Sequence, residues 1–402
     1  MTRILALHRP ERPRRIPTIL AFVDYYLPGF KAGGPLRAVS NLIEAIGDRV
    51  SFKVVTRDRD RDDDHRFPGV QVDSWQRVGK ADVMYLPVEE LSIWRVSEIL
   101  EDSGNAPIFL NSLFSPVTRR VLILNKLARR RRVVVLAPRG ECAASALIQK
   151  KTRKAFYLGV AAFLGWYEDL IWLSSSAHES DDIRAMWYRL GVQGRLEECP
   201  ELPMNIARDI PVASHKKPGT LNAAFLGRIV PVKNLLGSLQ LLKGVTGNVN
   251  FTIYGPREDN SYWNLCEREI QDLPPNIRVT YAGPIAHARV PEVLAQQELL
   301  IAPSFGENYG HSIVEALSVG CPVLTSDQTP WRGLAEAGAG WDLDLEDIAG
   351  GQAALSSMVA MDSDEHTAMR RHAKEYARIK TNYDGVVQWN YDFFSTLPTV
   401  AA

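Results

Sequence analysis

Short apolar runs without polar alternation, separated by longer amphipathic stretches, constrain this chain more than any other feature. The runs fall at residues 18–23, 52–56, 133–137 and 171–173, and again at 221–226, 250–254, 277–281, 299–302 and 322–325. Many are rich in Val, Ile and Phe. A strand apolar on both faces is buried on both faces, as in parallel sheets covered by helices. Helix-like stretches lie between the runs, for example at 35–46, 177–190 and 232–243. This alternation predicts an α/β fold with right-handed crossovers.

The 402 residues are enough for two or three domains at about 150 residues each. Pro200, Pro203, Pro211 and Pro218 crowd one stretch, which ends in the polar Ser214-His215-Lys216-Lys217. The strand–helix alternation restarts at Leu221. Proline-rich polar stretches mark domain boundaries. We therefore expect an N-terminal domain at 1–205, with 1–15 frayed, and a second domain at 206–380. A helical segment, 381–402, is expected to follow. Ligands of doubly wound folds bind beyond the carboxyl ends of the strands, so the cleft between the domains is the expected site.

Composition excludes several classes. Lys and Arg total 47 and Asp and Glu total 47, so bulk charge favours neither nucleic acid nor membrane. Cys142, Cys199, Cys266 and Cys321 are far apart, without CxxC spacing, and a reduced cytoplasmic setting is expected. No apolar run reaches the roughly 18 residues needed to span a bilayer. The basic start, 1–15, lacks an apolar signal core. The span 119–154 holds twelve Lys or Arg against one acidic residue. Its clusters Arg129-Arg130-Arg131-Arg132 and Lys150-Lys151-Thr152-Arg153-Lys154, the second beside an apolar run, suit peripheral contact with an anionic inner membrane face. Asp62-Asp63-Asp64-His65 is read as an acidic loop, and no metal site is expected. Trp331 and Trp341 are read as packing residues.

The densest chemistry follows the apolar run 299–302, in Ser304-Phe305-Gly306-Glu307-Asn308-Tyr309-Gly310-His311-Ser312-Ile313-Val314-Glu315-Ala316. Ile313, Val314 and Leu317 make a helical stripe. The helix start near Tyr309–Ser312 offers backbone N–H groups to a phosphate. Glu307 and Glu315 can accept from sugar and ribose hydroxyls. Gly227 and Arg228 follow the run 221–226, and Lys233 follows them at what reads as a helix start. Glycine permits close backbone approach, Arg228 can grip phosphate oxygens, and Lys233 supplies a point charge. A leaving diphosphate needs such cations. Gly33-Gly34-Pro35 follows the first run, and Pro138-Arg139-Gly140-Glu141 follows 133–137. Gly33-Gly34-Pro35 does not match a dinucleotide GxGxxG.

Pro303-Ser304, Glu307, Gly310, Glu315-Ala316, Gly320 and Pro322-Val323 together resemble the E-x7-E signature of family-four retaining glycosyltransferases. Gly33-Gly34-Pro35, Gly227-Arg228…Lys233-Asn234 and Tyr254-Gly255 extend the resemblance over nearly the whole chain. Thr56-Arg57-Asp58-Arg59-Asp60 and Pro138-Arg139-Gly140 look like a bacterial surface-polysaccharide branch. The resemblance implies the GT-B fold: two Rossmann-like doubly wound domains facing a cleft, with C-terminal helices packing back on the first. It implies retaining transfer of a sugar from a UDP-, GDP- or ADP-sugar to a glycan or lipid-linked acceptor, with no bound cofactor. Glu307 would hold the donor sugar and Glu315 the ribose. Arg228 and Lys233 would neutralise the diphosphate. Gly33, Gly34, Gly227, Asn308, Tyr309, Gly310 and His311 would line the donor. Many relatives carry a histidine near 138–141, which this chain lacks, so Arg139 or Glu141 is expected on the acceptor or sugar side. The alternatives are a nucleotide-sugar epimerase of the same fold and a non-catalytic sugar-nucleotide binder.

Overall fold

The computed structural model describes residues 16–143, 146–147, 151–205, 210 and 216–399. The frayed start expected at 1–15, and the boundary expected at 205/206, lie on or against residues outside that set. The first sheet comprises β1 (Thr18–Val23), β2 (Ser51–Arg57), β3 (Trp75–Val78), β4 (Ala81–Leu86), β5 (Ile108–Asn111), β6 (Val134–Ala137), β7 (Leu170–Ser174) and β8 (Arg195–Glu198). Its order is β3-β4-β2-β1-β5-β6-β7-β8. All pairs are parallel except β3 with β4. The second sheet comprises β9 (Thr220–Leu226), β10 (Asn248–Tyr254), β11 (Ile277–Gly283), β12 (Leu299–Ala302), β13 (Val323–Ser326) and β14 (Gly340–Leu343). It is parallel throughout, in the order β11-β10-β9-β12-β13-β14.

Most strands read from apolar runs are buried and central, such as β1, β6 and β12, but β11, read at 277–281, is an edge strand with alternate residues exposed. Each sheet packs a separate apolar cluster on each of its faces. Of the strands missed in the sequence, β5 (IFLN) is buried throughout, and the others carry weaker signals. β8 reads RLEE and has no buried residue, and β3 and β14 are largely half-exposed. β4 is buried at five of six positions, but Asp82 interrupts its run.

The C-terminal helices divide between the domains. Helix Ser363–Thr381 opens with a capping box between Asp362 and Glu365 and packs on helix His311–Ser318 in the second domain. The chain turns at Asn382, whose left-handed φ of 41° ends one helix and starts the next. Helix Tyr383–Thr396 then packs on helix Gly34–Ile46 of the first domain. Its Phe394 is fully buried, with its ring centroid 5.9 Å from that of Phe52 and 5.3 Å from that of Phe109. Burying one such ring contributes about 1.5–3 kcal/mol. The expected return of the tail to the first domain is therefore what the fold contains.

Candidate active site in the interdomain cleft

In each sheet the strand order runs outward in both directions from the first strand, β1 or β9. Loops leaving such a switch point diverge and open a crevice. The loop after β1 carries Gly33 and Gly34, that after β9 carries Gly227 and Arg228, and that after β12 carries Glu307, Asn308, Tyr309 and Gly310. These residues, with Lys233, Arg139 and His311, line one cavity of about 230 Å³. Two expected site residues, Glu141 and Glu315, are not on its wall.

The β1 loop is held in place by the motif after β2. Asp60 is buried and accepts from the backbone N–H of Phe30 at 2.7 Å and of Lys31 at 3.1 Å. Gly33 follows with φ 71°, a left-handed conformation that favours glycine. The Arg57–Asp60 stretch therefore shapes the loop that reaches the cavity.

The helix expected from 232 begins later. Pro231–Lys233 forms one 3₁₀ turn, Asn234 adopts φ 55°, and helix Leu235–Leu242 starts behind it. Asn234 Oδ1 caps the Gly237 N–H at 3.0 Å. Lys233 thus projects from a tight turn. Its Nζ lies 2.5 Å from Glu307 Oε1, which also accepts from Ser304 Oγ at 2.9 Å. Arg228 Nη1 donates to the Glu258 carboxylate at 2.9 and 3.1 Å. Arg61 of the first domain reaches the same Glu258 at 2.5 Å.

Helix His311–Ser318 is set by Gly310 at its N-cap, with φ 80°. A Cβ there would come within 3.0 Å of Trp331 Nε1, so both conformation and space demand glycine. The buried Trp331 donates from Nε1 to the Tyr309 carbonyl at 2.5 Å and fixes the turn into the helix. Gly310, His311 and Ser312 bring the helix N-terminus to the cavity, where its backbone donors and partial positive charge suit an anion.

Glu315 lies one turn deeper and is fully buried. Its Oε2 accepts from Arg37 Nη1 at 2.7 Å, across the domain boundary. Its Oε1 has no hydrogen-bond partner, and His287 Nδ1 is 3.8 Å away. Burial raises the Glu315 carboxyl above its ordinary pKa, with Arg37 and His311 pulling it back. Burial, reinforced by Arg37 and His311, pushes His287 down to about 3, so this ring is neutral.

The expectation for the 138–141 loop divides. Glu141 is turned away from the cavity. It accepts from Ser112 Oγ at 2.9 Å and from the backbone N–H of Leu113 at 2.6 Å and Phe114 at 3.1 Å. This corrects its placement on the acceptor or sugar side: a buried carboxylate goes where backbone donors satisfy it. Arg139, at φ 56°, does line the cavity. It donates to Asn111 Oδ1 at 2.8 Å and to Glu201 Oε1 at 2.8 Å. Glu201 Oε2 in turn lies 2.6 Å from His311 Nε2, in the other domain. Burial would raise the Glu201 carboxyl, but Arg139 and His311 outweigh it and hold it below its ordinary value. A histidine therefore does reach this part of the cleft, from the second domain. Asn308 Nδ2 adds a contact to Ser175 Oγ at 3.1 Å.

The glycosyl transferases group 1 family model matches residues 208–379. That match spans the second sheet, β9 to β14, and leaves the first sheet outside it. The matched residues include Arg228, Lys233, Glu307 and Glu315, and the first domain supplies Gly33, Arg37 and Arg139. The chain is 30% identical over 113 residues to the O-antigen chain mannosyltransferase B of Escherichia coli. That match spans 27% of this chain and 29% of that protein. The sucrose-phosphate synthase of Thermosynechococcus elongatus superposes with a TM-score of 0.70 at 17% identity, over 95% of this chain and 99% of that one. Anabaena HepE, solved in complex with UDP-glucose, gives 0.67 at 16% identity, over 94% and 100%. With the two sheets, parallel but for β3, these similarities identify the fold as GT-B.

Arg37, Glu201, Glu258 and His287 escaped the sequence reading. Arg37 was legible, because an arginine among the buried Leu36, Ala38 and Val39 must meet a partner. Glu201 lies in the proline-rich stretch read as a boundary, where no periodicity marks it.

Proposed function

We propose that this chain is a retaining glycosyltransferase that moves a sugar from a nucleoside-diphosphate donor to a glycan or lipid-linked acceptor, in the synthesis of a bacterial surface polysaccharide. One observation carries the reading. Arg228, Lys233, Glu307 and the N-terminus of helix His311–Ser318 line one cavity at the switch point of the second domain. A diphosphate meets two cations and backbone donors there, while Glu307 faces the sugar. Glu315 lies buried behind them, and its Oε1, which has no donor, is the oxygen a ribose hydroxyl would satisfy. The leaving phosphate would take the acceptor hydroxyl's proton on the face it leaves, which gives retention. The UDP-glucose bound by HepE and the O-antigen role of the mannosyltransferase support the substrate class. The base, the sugar and the acceptor follow from experiment. The division into 1–205, 206–380 and 381–402 is the working frame for domain-level variants.

Incubation with UDP-, GDP- and ADP-sugars, with and without EDTA, tests this. Transfer or slow hydrolysis of one donor, with retained anomeric configuration and undiminished rate in EDTA, is expected. Isomer formation without transfer would establish the epimerase, and binding without turnover the inert binder. The Glu201–His311 pair is the observation that favours an epimerase. Arg139 weakens it, since a carboxylate held ionised by an arginine is a poor base.

The acceptor side includes an exposed basic and apolar face. The end of helix Pro116–Leu127 and the segment after it are tied to the turn that follows helix Lys151–Phe163 by the Lys126–Glu168 and Arg131–Asp169 ion pairs. Leu127 is 77% exposed, Phe156 74% and Phe163 90%. Arg132 and Lys154 are turned inward to Leu100 and Ser103 and to Ala146, so the face carries fewer cations than the sequence count implied. Lys150 lies outside the described residues. Among the described residues no helix is long and apolar enough to cross a membrane. A peripheral site at the inner membrane face is the proposed location. Binding to anionic vesicles is expected to be weak and to fade as salt shortens the Debye length below about 8 Å. Equal co-sedimentation with neutral and anionic vesicles would contradict it.

A further inference from the structure

We propose that Arg37 is a positioning residue that couples nucleotide occupancy to domain closure, acting through Glu315. The inference rests on the reading of Glu315 as the ribose partner. Arg37 belongs to helix Gly34–Ile46 of the first domain and Glu315 to helix His311–Ser318 of the second. Their side chains, 14% and 0% exposed, meet at 2.7 Å over 278 residues of sequence.

The two oxygens of Glu315 have different fates. Oε2 is taken by Arg37, and Oε1 is sealed from water with no donor. A buried carboxylate oxygen without a donor is costly. His287 Nδ1, at 3.8 Å, is beyond hydrogen-bond reach. A ribose hydroxyl is a neutral donor of the kind Oε1 lacks. Both oxygens are then satisfied only when the nucleotide lies on one side and the first domain on the other. A closed, empty cleft leaves Oε1 bare. An open, occupied cleft takes the guanidinium away from Oε2 and leaves the charge uncompensated. Each partner therefore favours the other, and the coupling is reciprocal. The other cross-domain contacts, Glu201–His311, Asn308–Ser175 and Arg61–Glu258, close the cleft without touching Glu315. His311, paired with Glu201, acts on Glu315 only through space, so among these residues Arg37 is the one that joins closure to the ribose carboxylate by direct contact.

The experiment follows compaction by small-angle scattering, and affinity by calorimetry, as UDP, GDP and ADP are titrated into wild type, R37M, R37K and E315Q. Wild type is expected to bind one nucleotide and compact. R37M should bind it about 10- to 100-fold more weakly, the scale of one charge-assisted hydrogen bond, and should not compact. R37K, which keeps the charge and loses the fork, should recover part of both, and it carries the test if R37M is insoluble. In the E315Q background R37M should add little, because both changes break one coupling. With the native donor, R37M should lower kcat more than it raises KM. Wild-type compaction in R37M, with nucleotide affinity still dependent on Glu315, overturns the inference and leaves the site reading standing. Nucleotide affinity unchanged in E315Q, or no binding of any of the three by wild type, overturns both.

Discussion

Arg228→Ala and Lys233→Ala are each expected to lower turnover by about 10²–10³-fold, with a smaller loss of donor affinity. Preorganised cations aimed at a leaving group act where charge develops, so they count more in the transition state than in the ground state. The pairings in the cleft refine this into an order. When Arg228 is removed, Glu258 keeps Arg61 at 2.5 Å. When Lys233 is removed, Glu307 keeps only the neutral Ser304 hydroxyl at 2.9 Å. An uncompensated carboxylate then faces the diphosphate and repels it. Lys233→Ala is thus the more damaging change, and Glu307→Gln in that background should relieve the repulsion without restoring the grip. The double variant R228A/K233A should lose less than the sum, since both cations act on one group. Both single variants should fold, because neither side chain belongs to an apolar cluster. Steady-state kinetics with the native donor decide the matter. Near-wild-type turnover in both would remove the diphosphate role from this loop.

Much of this site was legible because its residues sit where strands end. Apolar runs mark β1, β9 and β12, and the loops that follow them carry Gly33, Gly227, Arg228, Glu307 and Gly310. A parallel sheet sends all such loops to one edge, so local sequence was enough to bring them together. The departures share a different cause. Glu141 reads like its neighbour Arg139, but only Arg139 adopts the φ of 56° and lines the cleft, while Glu141 turns back to the 112–114 backbone. The pairs Arg37–Glu315 and Glu201–His311 join residues 278 and 110 positions apart. No pattern within one element carries such information, because it is fixed by how two separately built domains meet. The edge strands β3, β8 and β14 were missed for a third reason. They are exposed or half-exposed, and their residues owe little to the core.

Glu315→Gln is expected to weaken nucleotide binding by about 1.5–3 kcal/mol, the scale of hydrogen bonds to a charged group, while leaving the fold intact. The surroundings explain why the two effects separate. The oxygen of the introduced amide can take the place of Oε2 and go on accepting from Arg37 Nη1. The amide NH2 then occupies the position of Oε1, beside His287 Nδ1. Burial keeps His287 neutral, with its pKa down at about 3, so one ring nitrogen is an acceptor. The substitution therefore removes a buried charge whose carboxyl burial had raised, and replaces the orphaned acceptor with an amide NH2 3.8 Å from the His287 ring nitrogen. The thermal midpoint of the empty protein should hold or rise. The ribose loses its acceptor in the same step, because an NH2 group now faces the hydroxyl. The pH dependence follows from the sign of the shift. Wild-type affinity should fall on acidification, as the raised Glu315 carboxyl gains its proton sooner than an ordinary one, and the glutamine variant should lose that part of the slope. Calorimetry of nucleotide binding against pH reads both quantities. A variant that binds as wild type does, with the same slope, would move the ribose away from Glu315.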